Sequence, residues 1–137
     1  MVHPRPTSRL TLRIDLPNGS RLGPGKVALL EALQTHKSIA AAARDRGMSY
    51  RRAWLLIDDM NRAFAKPVVE TFPGRSHGAG AALTAFGERL VALYRSAERK
   101  SAKAIEATVA EIEVELDSTY PRPIAKAASK SPSAGGA

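Results

Sequence analysis

The sequence predicts a mainly α-helical domain with a small β-hairpin, and three features predict it. Residues 38 to 64 read as two helices parted by a tight glycine turn. Residues 68 to 84 read as two short strands around a glycine-rich loop. From Ala85 onwards, apolar residues recur at helical spacing as far as Leu116.

The 137 residues fit one domain with an appended element. There is no cysteine, which excludes disulfides, thiolate metal sites and a Cys nucleophile together. The opening MVHPRPTSRL lacks the apolar core of a signal peptide, and no apolar run approaches the length of a membrane span. A cytoplasmic protein with no membrane partner is expected.

Residues 1–9 are expected to be disordered. LTLRIDL, Leu10 to Leu16, alternates apolar Leu10, Leu12, Ile14 and Leu16 with polar Thr11, Arg13 and Asp15, the pattern of a half-buried strand. PNGSRLGPG is turn material, and KVALLEALQTH follows as a helix with Val27, Leu30, Ala32 and Leu33 on its apolar side. Ser38 is a suitable N-cap for IAAAARDR, Gly47 a suitable residue just past its end, and Ser49 a cap for the next helix. That helix spans roughly Tyr50 to Phe64, with Ala53, Ile57, Met60 and Phe64 as its buried stripe. VVETF, PGRSHGAG and AALT make the hairpin. Thr84 then caps a long helix whose stripe is Phe86, Leu90, Leu93, Ala97, Ile105, Val109, Ile112 and Leu116, weakened in the middle by ERKSAK. From Ser118 the composition is that of a disordered tail.

The formal net charge is +8, which favours a polyanionic partner, most often nucleic acid, with solubility alone as the plain alternative. Its distribution matters more than its size. Residues 37 to 75 hold eight bases (Lys37, Arg44, Arg46, Arg51, Arg52, Arg62, Lys66, Arg75) against four acids (Asp45, Asp58, Asp59, Glu70). Residues 84 to 117 hold five bases against seven acids. The positive charge therefore gathers around the two short helices and the hairpin.

A short helix, a glycine turn and a second helix form a helix-turn-helix. Ala40 to Ala43 suit a close crossing of the two helices, although alanine also simply favours helix. In this motif the second helix enters the DNA major groove by its N-terminal end. Arg51 and Arg52 stand in its first turn, where the helix dipole disfavours positive charge. Contacts with guanine edges or phosphates would offset that cost. Ser49 and Tyr50 lie at the tip, Leu55 points outward, and Ser38 joins them as a candidate DNA contact. The hairpin would be a wing, with Arg75 in a minor groove and Ser76 and His77 on phosphates. Trp54 lies one step from the buried stripe, so core packing is its default reading, and an indole N–H bond to phosphate is the alternative.

Catalysis finds little support. His3, His36 and His77 are scattered, without a carboxylate pair or metal-ligand spacing around them. The glycine-rich loop lacks the Gly-Lys-Ser/Thr of a phosphate-binding loop. No enzyme activity, cofactor or metal is expected.

GPGKVALLEAL, SIAAAARDRGMSYRRAWLLIDDMN and VVETFPGRSHGAGAALTAFGERLVALY together resemble the DNA-binding domain of the ModE family of molybdate-responsive regulators, over roughly residues 23 to 94. The most specific pieces are Ser49-Tyr50 with Ala53-Trp54, the Met60-Asn61 pair, and Ala82-Leu83-Thr84 with Gly87. The domain is more distantly similar to that of LysR-type regulators. The resemblance implies a winged helix-turn-helix, a homodimer formed through the long helix, and operator binding at genes of molybdenum uptake or use. By motif match, Ser49, Tyr50, Arg51 and Arg52 take the recognition role, and Arg75, Ser76 and His77 the wing role. Full-length members bind molybdate in a separate C-terminal β-domain. This chain ends about 20 residues after its last expected helix, with PRPIAKAASKSPSAGGA, so no molybdate binding is expected from it alone.

The expected organisation is thus a winged helix-turn-helix over residues 10–84, a dimerisation helix over 85–117 and a tail over 118–137. The expected function is sequence-specific regulation of transcription on double-stranded DNA. A non-specific architectural DNA-binding protein is the alternative, and a regulatory subunit using the domain for protein contacts is a third reading.

Overall fold

The computed structural model describes residues 7–75 and 78–120, and the backbone alone at residues 74, 75, 78 and 79. In chain order its elements are β1 (Ile14–Asp15), β2 (Arg21–Leu22), α1 (Pro24–His36), α2 (Ile39–Asp45), α3 (Tyr50–Ala63), β3 (Val69–Arg75), β4 (Gly78–Leu83), α4 (Ala85–Ala104) and α5 (Glu106–Val114). β1 pairs antiparallel with β2, and β3 with β4. This is a mainly α winged helix fold.

The alternation over Leu10–Leu16 survives in the fold: the even positions are partly covered and the odd ones exposed. Only Ile14 and Asp15 are laddered, however, because β2 offers just Leu22 and Arg21 as partners. Leu12 turns its carbonyl to a side chain instead, accepting the Tyr94 hydroxyl at 2.5 Å. The expected seven-residue strand is therefore a two-residue strand with an extended lead-in.

The core gathers around α1. Proline is tolerated at a helix start because the first amides lack intrahelical acceptors, and Pro24 opens α1. Val27, Leu29, Leu30 and Leu33 have no exposed surface. The helix ends at Lys37, which adopts φ 56°, and the Lys37 carbonyl accepts the Ala81 amide at 3.1 Å, tying the helix end to β4. Ser38 Oγ then accepts the Ala41 amide at 3.1 Å and starts α2. Of the four alanines, Ala42 and Ala43 are buried and Ala40 faces solvent. Gly47, at φ 68°, supplies the left-handed turn between the helices.

α3 buries Ala53, Ile57 and Met60. Phe64 stands at its C-cap, and its ring meets that of Phe86 edge-on at 5.3 Å. The hairpin strands reach further than VVETF and AALT. Pro73 and Arg75 belong to β3, Gly78 to Gly80 belong to β4, and the register is irregular between Phe72 and Arg75.

Thr84 caps α4 as expected: its Oγ accepts the Gly87 amide at 2.9 Å and donates to the Pro67 carbonyl at 2.7 Å. The buried seam of α4 is Gly87, Leu90, Val91 and Tyr94. Leu93, expected on the stripe, is 49% exposed. Tyr94 replaces it inside because its ring fills the core while its hydroxyl finds the Leu12 carbonyl. Desolvation, together with the Glu98 carboxylate, raises the Tyr94 pKa.

The helix expected over 85–117 is divided. α4 ends at Ala104, Ile105 leaves helical geometry (φ −101°, ψ 5°), and α5 ends at Val114. Lys103 at the end of α4 and Glu106 at the start of α5 complement the dipoles of two helix ends placed there. The chain separates into two compact units at the Ala104–Ile105 junction. The first three turns of α4 are part of the core. α5 buries no residue, and Ile112, Val114 and Leu116 are exposed. The remainder of the N-terminal segment and of the tail falls outside the described residues.

Arg95 ties α4 to α1. Its Nε and Nη2 donate to the two Glu31 carboxylate oxygens at 2.9 and 2.6 Å, and its Nη1 donates to Glu98 at 2.6 Å. The hydrogen bonds from Arg95 hold the Glu31 carboxyl below its ordinary value of 4.5. A depressed carboxyl pKa adds stability above the unfolded value that is lost as pH falls through the folded one. Stability is therefore expected to decline below pH 4.5 more steeply in the wild type than in Arg95→Met. Urea melts of both proteins between pH 6 and pH 3, about the range in which carboxylates titrate, check this. Partial exposure of both groups keeps the difference small.

Candidate nucleic-acid interface

The candidate surface is the N-terminal half of α3. Ser49 positions it, since its Oγ accepts the Arg52 amide at 3.0 Å and so caps the helix. There is no acidic residue in the first turn of α3 to complement its positive end. With Ala53, Ile57 and Met60 inward, a rotation of roughly 100° per residue turns Arg51 and Leu55 almost directly outward. Arg52 lies on one flank, and Tyr50 and Trp54 on the other. Arg51 and Arg52 are exposed and have no ion-pair partner among the described residues. Tyr50 is 54% and Leu55 47% exposed. Further along, Arg62 is neutralised by Asp58 at 3.2 Å, so the unpaired positive charge of the helix sits at its start.

Two anchors fix that helix. Lys26 Nζ meets Asp59 at 2.8 Å and also donates to the Arg21 carbonyl at 2.9 Å, joining α1 and β2 to α3. Asn61 Oδ1 accepts the amides of Val68 and Val69 at 2.7 and 3.0 Å, and its Nδ2 donates to the Val69 carbonyl at 3.1 Å. Asn61 thus fixes the root of the hairpin to α3. Met60 is core, as its place on the apolar stripe predicts, and Asn61, to which the sequence assigned no role, is the clamp.

The other candidates separate. Ser38 is partly buried and its oxygen is engaged as a cap. Arg75 closes β3, where its backbone pairs with Gly78. Ser76 and His77 lie outside the described residues. Trp54 departs from its default reading: it is 45% exposed. The inward face of α3 is taken by Ala53, Ile57 and Met60, and an indole a quarter turn from Ala53 is carried off that face. That quarter-turn offset from Ala53, Ile57 and Met60 was the available signal.

Among the described residues no group of three or more His, Cys, Asp or Glu could hold a metal ion, and no helix is long and apolar enough to cross a membrane.

A capped second helix, the glycine turn that separates it from α2, and a hairpin rooted on that same helix define the winged helix-turn-helix class. No family model matches the chain. Relatives do. The chain is 46% identical over 87 residues to the molybdenum-pterin-binding protein MopB of Rhodobacter capsulatus, covering 64% of this chain and 32% of MopB. It is 36% identical over 99 residues to the molybdenum transport protein ModE of Azotobacter vinelandii, covering 72% and 36%. It is 34% identical over 87 residues to the DNA-binding transcriptional dual regulator ModE of Escherichia coli, covering 64% and 33%. The chain is thus similar to ModE and Mop proteins and spans about a third of the length of these relatives.

Proposed function

We propose that the chain is a sequence-specific DNA-binding regulator of transcription of the ModE type, acting in the cytoplasm on molybdenum-related genes. The observation that carries this reading is the start of α3. Two exposed arginines, without acidic partners among the described residues, stand in the first turn of a helix whose dipole disfavours them. A polyanion met end-on offsets that cost, and a helix-turn-helix presents this end to the major groove. The printed name of the Escherichia coli relative, a DNA-binding transcriptional dual regulator, supports the same partner. The molybdenum link rests on the names of the relatives alone.

Selection of bound duplexes from a random DNA pool, at stated salt, tests the proposal. A defined sequence should emerge, bound roughly 10³-fold or more tighter than random DNA at physiological salt. Enrichment of no sequence, with affinity that follows salt alone, would replace it with the architectural reading. No DNA affinity at physiological salt would replace it with a protein-binding role.

A homodimer belongs to the same proposal. Ile112 is 62% and Leu116 69% exposed, and burying one large aliphatic side chain is worth roughly 1.5–3 kcal/mol. Pairing of α5 and the residues just after it with their copies would cover both and set two recognition helices about a two-fold axis. Sedimentation should give a dimer for the wild type at tens of micromolar, about the scale of weak association, and a monomer for Ile112→Asp. A wild-type monomer removes the dimer and the palindromic site with it.

A further inference from the structure

Trp54 is the one tryptophan of the chain and is 45% exposed. Leaving so large an apolar side chain in water forgoes much of the gain its burial would bring. Among the described residues its ring has neither an aromatic neighbour nor a cation above it. It lies in the second turn of α3, one turn after exposed Tyr50, and beside the outward row of Arg51 and Leu55. Asn61, two turns further on, occupies the same flank and clamps the root of β3. The indole therefore stands between the arginine row and the side of the helix that carries the wing.

We propose that Trp54 reads the C5-methyl group of a thymine in the major groove, next to the base or phosphate held by Arg51. This rests on the DNA-binding reading above. The thymine methyl is the apolar group that the major groove offers, and apolar side chains are its usual readers. The N-terminal half of a recognition helix is the part that reaches base edges. The unpaired charge of Arg51 and Arg52 draws in the phosphates, and contact with the thymine methyl then covers the ring. A bond from the indole N–H to a phosphate is the competing contact, and it carries no sequence information.

The test uses the full chain and a duplex selected from random DNA, with each thymine in turn replaced by deoxyuridine, which removes only the methyl. At one position per half-site the wild type should weaken about fourfold, the worth of one buried methyl-sized group. Trp54→Ala should bind the thymine and uracil duplexes alike, and Trp54→Phe should keep part of the preference. Being the single indole, Trp54 also reports on itself: its fluorescence should be quenched by the selected duplex, and less so with uracil at that one position. Should Trp54→Ala lose its fold by circular dichroism, Trp54→Phe and the wild-type fluorescence scan decide the matter. A Trp54→Ala protein that keeps the full thymine preference overturns the inference alone. So does an equal loss on selected and random DNA, which would mean a phosphate contact. Failure to select any duplex overturns both this and the DNA-binding reading.

Discussion

Gly87→Ala is expected to destabilise the domain by about 3 kcal/mol, the upper part of the range for overpacked sites. A Cβ at Gly87 would stand 2.2 Å from the Val68 carbonyl oxygen, 3.1 Å from its carbonyl carbon and 3.3 Å from Leu83 Cβ. None of these can swing aside as a flexible side chain can. The Val68 amide is held by Asn61, and its carbonyl accepts both the Thr84 amide at 2.9 Å and the Thr84 hydroxyl at 3.2 Å. Moving Val68 would therefore disturb the hairpin root and the cap of α4 together. Gly25→Ala is the control, because nothing lies within 4 Å of the position a Cβ would take there. It should leave stability unchanged or raise it by up to about 1 kcal/mol, since alanine restricts the unfolded chain and favours helix. Thermal melts of the three proteins decide this. A Gly87→Ala melt equal to that of the wild type would mean that α4 is free to move away from Val68.

Arg51→Ala is expected to lower affinity for a selected duplex by about 5- to 150-fold, matching the roughly 1–3 kcal/mol of a bidentate base contact. Affinity for random DNA should fall less. The motive is position: Arg51 is exposed, without an ion-pair partner among the described residues, and turned almost opposite Ala53 and Ile57. Arg52 lies on a flank of the same helix, so Arg52→Ala should cost more on random DNA relative to its cost on the selected duplex. Titration of both variants against both duplexes at one salt concentration checks the pair. Equal losses for Arg51→Ala on the two duplexes would reassign Arg51 to phosphate.

How much of this was legible in the sequence depended on the range of the interactions. Caps were legible because they are local: Ser38, Ser49 and Thr84 each bond an amide three residues ahead. The turn at Gly47 and the seam of Ala53, Ile57 and Met60 followed from spacing alone. Tertiary choices were not visible. Tyr94 displaced Leu93 from the core because a carbonyl at Leu12, 82 residues away in sequence, satisfies its hydroxyl. The break at Ile105 involves neither proline nor glycine, and only the charges of Lys103 and Glu106 around it hint at two helix ends. For the candidate interface, Arg51 and Leu55 were placed outward by periodicity. Trp54 was read as core because it lies one step from the buried stripe, and that one-step offset instead leaves it 45% exposed.

The most direct test of the DNA-binding reading is a titration of the full chain with a selected duplex and with a scrambled one of equal length, repeated across salt concentrations. The expected result is tight, saturable binding to the selected duplex and roughly 10³-fold weaker binding to the scrambled one at physiological salt. The logarithm of each affinity should fall linearly with the logarithm of salt, with a slope of about −0.9 per neutralised phosphate. Equal affinity for the two duplexes at every salt concentration would contradict sequence-specific recognition by α3.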